Sequence, residues 1–270
     1  MDQEAVCNGA MAGSPNLIAA RYAILGLSGV PRELSKEVVP NWREFLSLAH
    51  KQLEERFSLG SQIAIAKRLP FVDQPGVLFN PGCFSKSAMS VVLSQDFIEF
   101  SFDSQHSERA ALSIAILFHE MGHAFAWVRK LHDGQDVELA RDLLKTPREY
   151  ELFADYFAGY AFFFWHHWIR DNLNAKHPTL GETLAFISAF DYFVWTFKYF
   201  GCYVKAASHG DFNQRQKAFI EGALEAERTG KRVLKAISDS DIELLISRGR
   251  AFVRTLALQR MREIPRDRCN

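Results

Sequence analysis

A pair of histidines in the middle of an apolar stretch is the feature that most constrains how this chain can fold. Residues 112–123 are apolar apart from Ser113 and a His-Glu-x-x-His group, which predicts a buried helix. Residues four apart lie on one face of a helix, so the imidazoles of His119 and His123 can point at a single position. Burying these groups and Glu120 without partners is costly, so the helix requires either a metal ion or a hydrogen-bonded polar cluster there.

The spacing of these three residues favours the metal. Two neutral imidazoles on adjacent turns suit Zn²⁺, and a carboxylate beside them suits a base that activates water. We therefore predict that His119 and His123 are zinc ligands and that Glu120 is the catalytic base of a zinc metallopeptidase, a hydrolase that cleaves peptide bonds. Zn²⁺ is the one cofactor that the sequence predicts, since it contains no Gly-rich phosphate loop.

A second helix downstream offers the third ligand. Thr146 and Glu149 have the spacing of a capping box, and Pro147 suits the first helical position, so a helix is expected to begin near Pro147. On that helix Glu151 can supply a carboxylate ligand and leave the fourth zinc position open to water. Glu149 is the competing third ligand, but its capping role favours Glu151.

Asp155 lies one turn beyond Glu151 and shares its face of the helix. From there the Asp155 carboxylate can accept a hydrogen bond from the outer nitrogen of His119 or His123, which would fix the tautomer and orientation of that ring. The rest of the helix is rich in Phe, Tyr and Trp, so a solvated acidic face fits this segment poorly.

The two helices together resemble a known family. The pattern His-Glu-x-x-His followed by Glu-x-x-x-Asp is similar to that of the gluzincin zinc metallopeptidases, and it is carried by His119, Glu120, His123, Glu151 and Asp155. The order of parts over residues 88–190 looks like that of the phage-exclusion protease family Lit. The resemblance implies a zincin-like core with a small β-sheet before the zinc helix, whose edge strand pairs with the substrate backbone. Residues 89–93 and 77–79 are the candidates for that strand, and an ordinary internal strand is the alternative that stays open.

A segment after the second helix adds to the resemblance. Residues 177–184, which begin with His177 and Pro178, are similar to a His-Pro-x-x-x-Glu-Arg segment of some gluzincins, with Thr183 where that family has Arg. A catalytic donor to the oxyanion of a tetrahedral intermediate can be His177, Tyr150 or Tyr156. The resemblance favours His177.

The rest of the chain predicts a predominantly helical α+β fold. Apolar runs at 63–66, 77–79 and 88–93, separated by Pro-Gly turns, predict a small sheet between an early helix at 42–57 and the zinc helix. A capping box at 240–243 predicts the start of a last helix. We expect one continuous globular domain in four parts: a flexible tail at 1–15, an N-terminal helix and small sheet at 16–103, the zincin catalytic helices at 104–204, and a helical C-terminal part at 205–270.

Charge and composition narrow the class of partner. The 270 residues carry 32 Lys plus Arg and 32 Asp plus Glu, and this balance argues against nucleic acid. A protein or peptide substrate is expected instead.

The N-terminus lacks a basic and apolar leader, and no uncharged apolar run reaches the roughly 18 residues that a membrane span needs. Four scattered cysteines predict reduced thiols and a cytoplasmic location.

Two alternatives stay open at this point. The chain can be a catalytically silent zincin-fold module with a binding or regulatory role, although an intact Glu120 favours an enzyme. It can also be a membrane-associated protease, because residues 152–169 and 184–204 are apolar enough for peripheral contact with a bilayer. Membrane association is not the favoured interpretation, and the oligomeric state is left open.

Overall fold

The computed structural model describes residues 42–66, 69, 81–95, 97–98, 110–127, 129–130, 136–137, 144–172, 209–229 and 237–260. Within these ranges the chain is mostly helical and contains a small sheet, as predicted; the sheet has three strands, of which the one at 82–85 was not predicted. The helices are α1 (Trp42–Phe57), α2 (Ala110–Trp127), α3 (Pro147–Asn172), α4 (Phe212–Arg228) and α5 (Asp239–Ala257). The strands are β1 (Gln62–Ala66), β2 (Gly82–Ser85) and β3 (Ser90–Ser94), and a separate ribbon pairs β4 (Arg129–Lys130) with β5 (Asp136–Val137).

Several predicted features lie outside the described residues. These are the tail at 1–15, the strand at 77–79, the apolar stretch at 184–204 and the segment that contains His177. The division of the chain into four parts stays a prediction.

β3 is the central strand of the sheet. It runs parallel to β1, with Ile63 opposite Val91, and antiparallel to β2, with Cys83 opposite Val92. All five of its residues are buried, so both faces of the strand are covered. Of the two interpretations left open for residues 89–93, the structure therefore confirms the internal strand and contradicts the edge strand, because hydrogen bonds to β1 and β2 use both sides of its backbone.

α2 lies between the sheet and α3. On one side Ile116 contacts Gly82 of β2, and on the other Gly122 packs directly against the backbone of Ala154 in α3. A Cβ at Gly122 would lie 2.8 Å from both the Cα and the carbonyl oxygen of Ala154. The described side chains of α2 are buried nearly all round, as its apolar sequence predicts.

α4 crosses α3 at an equally close approach. A Cβ at Gly159 of α3 would lie 1.9 Å from the backbone oxygen of Phe219, and a Cβ at Gly222 of α4 would lie 1.8 Å from that of Tyr156. The two helix backbones are in contact at these glycines. α4 is thereby held against the same helix that carries Glu151 and Asp155.

Side chains fix the starts of the two C-terminal helices. A capping box between Asp211 and Gln214 opens α4, and one between Ser238 and Asp241 opens α5. The helix α5 therefore starts two residues earlier than the start predicted from a capping box at 240–243. Ser238 is better placed because the extended backbone there lets its hydroxyl accept from the amide of Asp241.

Cys83 contradicts the prediction of reduced thiols. It lies on β2 with 1% of its surface exposed and is disulfide-bonded. The other three cysteines of the chain lie outside the described residues.

No helix within the described ranges is both long enough and apolar enough to span a bilayer.

Candidate metal site

Three buried side chains on α2 and α3 bring one donor atom each to a common point. The Nε2 atoms of His119 and His123 lie 3.1 Å apart, and Glu151 Oε2 lies 3.2 Å from the first and 3.5 Å from the second. The exposed fractions of these residues are 8%, 6% and 9%. Ligands about 2.0–2.1 Å from a tetrahedral zinc ion are about 3.3–3.4 Å apart. The three donor atoms, which we call the donor triangle, have the spacing of three tetrahedral ligands.

The close contact between α2 and α3 creates the donor triangle. Gly122 lies between the two histidines along α2, and Ala154 lies between Glu151 and Asp155 along α3. Because the helix backbones touch at these two small residues, the longer side chains on either side of them meet across the interface.

Asp155 orients one of the histidines. Its Oδ1 atom lies 2.9 Å from His119 Nδ1, which leaves Nε2 facing the donor triangle. Burial by itself would lower the pKa of His119, but the charge and hydrogen bond of Asp155 prevail and raise it to about 10. A metal at Nε2 must therefore displace a proton at neutral pH.

Arg215 of α4 holds Asp155 in turn. Its Nε donates to Asp155 Oδ2 at 2.7 Å, and an Nη donates to Oδ1 at 2.8 Å. Burial would raise the pKa of Asp155, but the Arg215 charge lowers it, so the carboxyl group is ionised. Both members of this ion pair are almost fully buried, with 3% of each side chain exposed.

Glu120 lies beside the donor triangle and is 5% exposed. Its Oε2 atom has no hydrogen-bond partner among the residues that the structure describes, and the same is true of His123 Nδ1. Burial raises the pKa of Glu120. An unsatisfied buried carboxylate oxygen is costly, so its position indicates a site built to contact a further group.

The competing third ligand is engaged elsewhere. Glu149 Oε2 accepts from the backbone amide of Lys145 at 3.0 Å, and the Glu149 amide donates to Thr146 Oγ1 at 3.1 Å. Glu149 thus caps the start of α3, while Glu151 lies in the donor triangle.

The two tyrosines proposed as oxyanion donors lie in different places. The Tyr150 hydroxyl donates to the backbone oxygen of His123 at 3.5 Å, and its ring packs 4.3 Å from the His123 imidazole. Tyr156 is fully buried on another face of α3, where its ring packs against Phe252 of α5. The role of either tyrosine as an oxyanion donor stays a prediction. His177 is not among the described residues.

Two residues of the site were missed in the sequence. Arg215 contacts Asp155 as described above, and His209 Nε2 lies 3.6 Å from Glu151 Oε1. Burial would raise the pKa of Glu151, but the charges of His209 and His123 hold it well below its usual value. Burial lowers the pKa of His209. The capping box at 211–214 was a usable signal for the start of α4, but no spacing rule relates 209–215 to α2 or α3.

Comparison with models of known protein families, with curated proteins and with solved structures finds no match to this chain. The chemistry of the assembled side chains is therefore the basis for a functional assignment.

Proposed function

We propose that this chain is a zinc-dependent metallopeptidase of the gluzincin kind, with a zincin-like core formed by α2, α3 and the small sheet. His119, His123 and Glu151 would hold Zn²⁺, and Glu120 would be the general base. The observation that carries the proposal is the donor triangle with an unsatisfied carboxylate oxygen of Glu120 beside it.

The donor set fits a catalytic zinc site. Two imidazole nitrogens and one carboxylate oxygen are ligands that zinc accepts, and three protein donors leave a fourth position free for a reacting group. A structural zinc site has four protein donors as a rule, whereas the described residues supply three at mutual ligand distance. When bound, zinc would lower the pKa of a water molecule and polarise the carbonyl of the scissile bond.

Glu120 supplies the proton chemistry in this proposal. Its carboxylate takes a proton from the attacking water and then passes that proton to the leaving amine. Burial raises the pKa of Glu120, which moves this carboxylate toward the range where a base works best near neutral pH. A buried base whose Oε2 atom has no hydrogen-bond partner among the described residues counts against the catalytically silent alternative.

Asp155 and Arg215 keep His119 in its ligating geometry. The ionised Asp155 accepts from Nδ1, so Nε2 is the nitrogen that would give up its proton and offer a lone pair to a metal. The bidentate contact of Arg215 fixes the Asp155 carboxylate, and neither residue has to touch the substrate to affect metal binding.

The remaining elements of the proposal come from the sequence. His177 is proposed as the oxyanion donor on the family resemblance, and the balanced charge favours a protein or peptide substrate over nucleic acid. The cytoplasmic location was predicted from reduced thiols, and the disulfide at Cys83 removes that support.

Metal analysis and a cleavage assay test this proposal together. The purified protein is expected to contain about one zinc per chain and to generate new termini in a proteome-derived peptide library, detected by mass spectrometry, with loss of cleavage in chelator. Glu120→Gln should keep the zinc and lose the cleavage, whereas His123→Ala should lose both. Glu55→Gln, at an exposed glutamate of α1, is the control and should behave as the wild type.

Three results would each count against the assignment. They are a wild-type protein that binds no zinc, a zinc-loaded protein that cleaves no peptide in the library, and full cleavage by the Glu120→Gln variant.

A further inference from the structure

The two oxygens of the Glu151 carboxylate face different partners. Oε2 belongs to the donor triangle, within 3.5 Å of both histidine Nε2 atoms. Oε1 faces His209, whose Nε2 lies 3.6 Å away. His209 approaches from a segment that belongs neither to α2 nor to α3.

We infer that His209 is a positioning residue that holds the outer oxygen of Glu151, so that the carboxylate presents a single oxygen to the metal. The inference rests on the proposed zinc site and deepens it. A carboxylate that turns both oxygens toward a metal can fill two positions, whereas a partner on Oε1 favours binding through Oε2 and leaves the fourth position open.

The backbone around His209 is fixed relative to Glu151. Gly210, which has a φ of +84°, packs so close to Leu152 that a Cβ on it would lie 3.1 Å from a methyl carbon of that side chain. Leu152 is the neighbour of Glu151 in α3. Asp211 and Gln214 then bond each other in both directions, at 2.8 and 3.2 Å, which fixes the turn into α4.

A second connection anchors this turn to the C-terminal helix. Gln214 Nε2 donates to the backbone oxygens of Leu256 and Gln259 at the end of α5, at 2.9 and 3.1 Å. Six residues after His209, Arg215 holds Asp155 from the same segment. Residues 209–215 therefore place two side chains outside the donor triangle, one behind Glu151 and one behind the partner of His119.

The experiment compares two substitutions at this position. His209→Ala removes the contact to Oε1, and His209→Gln replaces the imidazole with an amide whose N–H groups can donate to the same oxygen. His167→Ala, at a histidine on the far part of α3, is the matched control. Zinc affinity is measured by competition with a chelator, coordination geometry by the visible spectrum of the Co²⁺-substituted protein, and folding by circular dichroism.

We expect His209→Ala to weaken zinc binding by about 10- to 100-fold, as the loss of an outer partner of a ligand does, and to change the Co²⁺ spectrum. His209→Gln should recover most of the affinity and the wild-type spectrum, and His167→Ala should match the wild type. If His209→Ala acted only by loosening the packing, His209→Gln would not restore the zinc affinity. The Co²⁺ that remains bound would then also keep the wild-type spectrum.

Two results would overturn the inference while leaving the zinc site standing. One is a wild-type protein that binds zinc together with a His209→Ala variant that binds it equally and has the same Co²⁺ spectrum. The other is a His209→Ala variant that binds zinc as tightly as the wild type but cleaves peptide with a lower kcat, which would mean that His209 acts on the substrate. If His209→Ala does not fold, a His209→Gln variant with impaired zinc binding and an altered spectrum counts against the inference. Failure of the wild type to bind zinc at all refutes the proposed function itself.

Discussion

Replacing Gly122 by alanine tests whether the contact between α2 and α3 builds the donor triangle. The added Cβ would lie 2.8 Å from the Cα and the carbonyl oxygen of Ala154, and ordinary contact begins near 3.4 Å. The neighbouring atoms belong to a helix backbone, so they cannot rotate away as a flexible side chain would. The two helices must separate by roughly 0.6 Å, the difference between these distances, at the point where the site lies.

Such a separation affects both stability and metal binding. Overpacking of this kind costs about 1–3 kcal/mol of unfolding free energy. Metal sites tolerate ligand displacements of about 0.2 Å, so a shift three times larger should remove Glu151 from joint coordination with His119 and His123. We therefore expect Gly122→Ala to lose most of its zinc affinity, measured by chelator competition, and to gain little thermal stability from added zinc.

Gly60→Ala is the matched control for this substitution. Gly60 has a φ of +67° and nothing within 4 Å of a Cβ, so alanine there costs about 1–2 kcal/mol of backbone strain without moving any helix. It should lower stability by a similar amount and leave zinc affinity unchanged. Wild-type zinc binding in Gly122→Ala, or an equal loss in Gly60→Ala, would refute the reasoning.

Three further predictions concern other parts of the chain. Burial lowers the pKa of His50 to about 4, so between pH 6.5 and pH 4 the unfolded chain binds a proton at this residue that the folded chain does not bind. The free energy of unfolding should therefore fall by about 1.4 kcal/mol for each pH unit as the pH is lowered through this range. Urea unfolding of wild type and His50→Asn at about pH 7 and pH 5 measures this, and an equal pH dependence of the two would contradict it. Arg215→Met should lower the unfolding free energy by about 3–5 kcal/mol because Asp155 stays charged and buried, and adding Asp155→Asn should recover part of the loss; no recovery would count against the ion pair. The disulfide at Cys83 leaves at most two of the four cysteines free, so alkylation of the unreduced, denatured protein should not exceed two thiols, and four would contradict the bond.

Much of the fold was open to prediction because its signals are local. The apolar run around His119 predicted a buried helix, and Thr146 with Pro147 predicted the start of the next one, where the structure begins α3. The strand near 90 was also predicted, but whether it lies at the edge or at the centre of the sheet was left open. Strand order depends on which segments pair across the chain, and an apolar strand has the same pattern at an edge and in the middle.

The sequence by itself determined the parts of the site that follow from helical periodicity. His119 and His123 share a face because they are four residues apart, and Glu151 and Asp155 do so for the same reason. Each pair is specified within one helix, whatever the rest of the chain does.

Only the tertiary structure decided which partners these faces meet. The contact of Gly122 with Ala154 joins the two helices, and the crossing of α4 over α3 brings Arg215 to Asp155 and places His209 beside Glu151. These contacts join positions up to 60 residues apart in the chain. Such contacts are set by how whole helices pack into a common core, and a pattern that repeats every 3.6 residues carries no information about them.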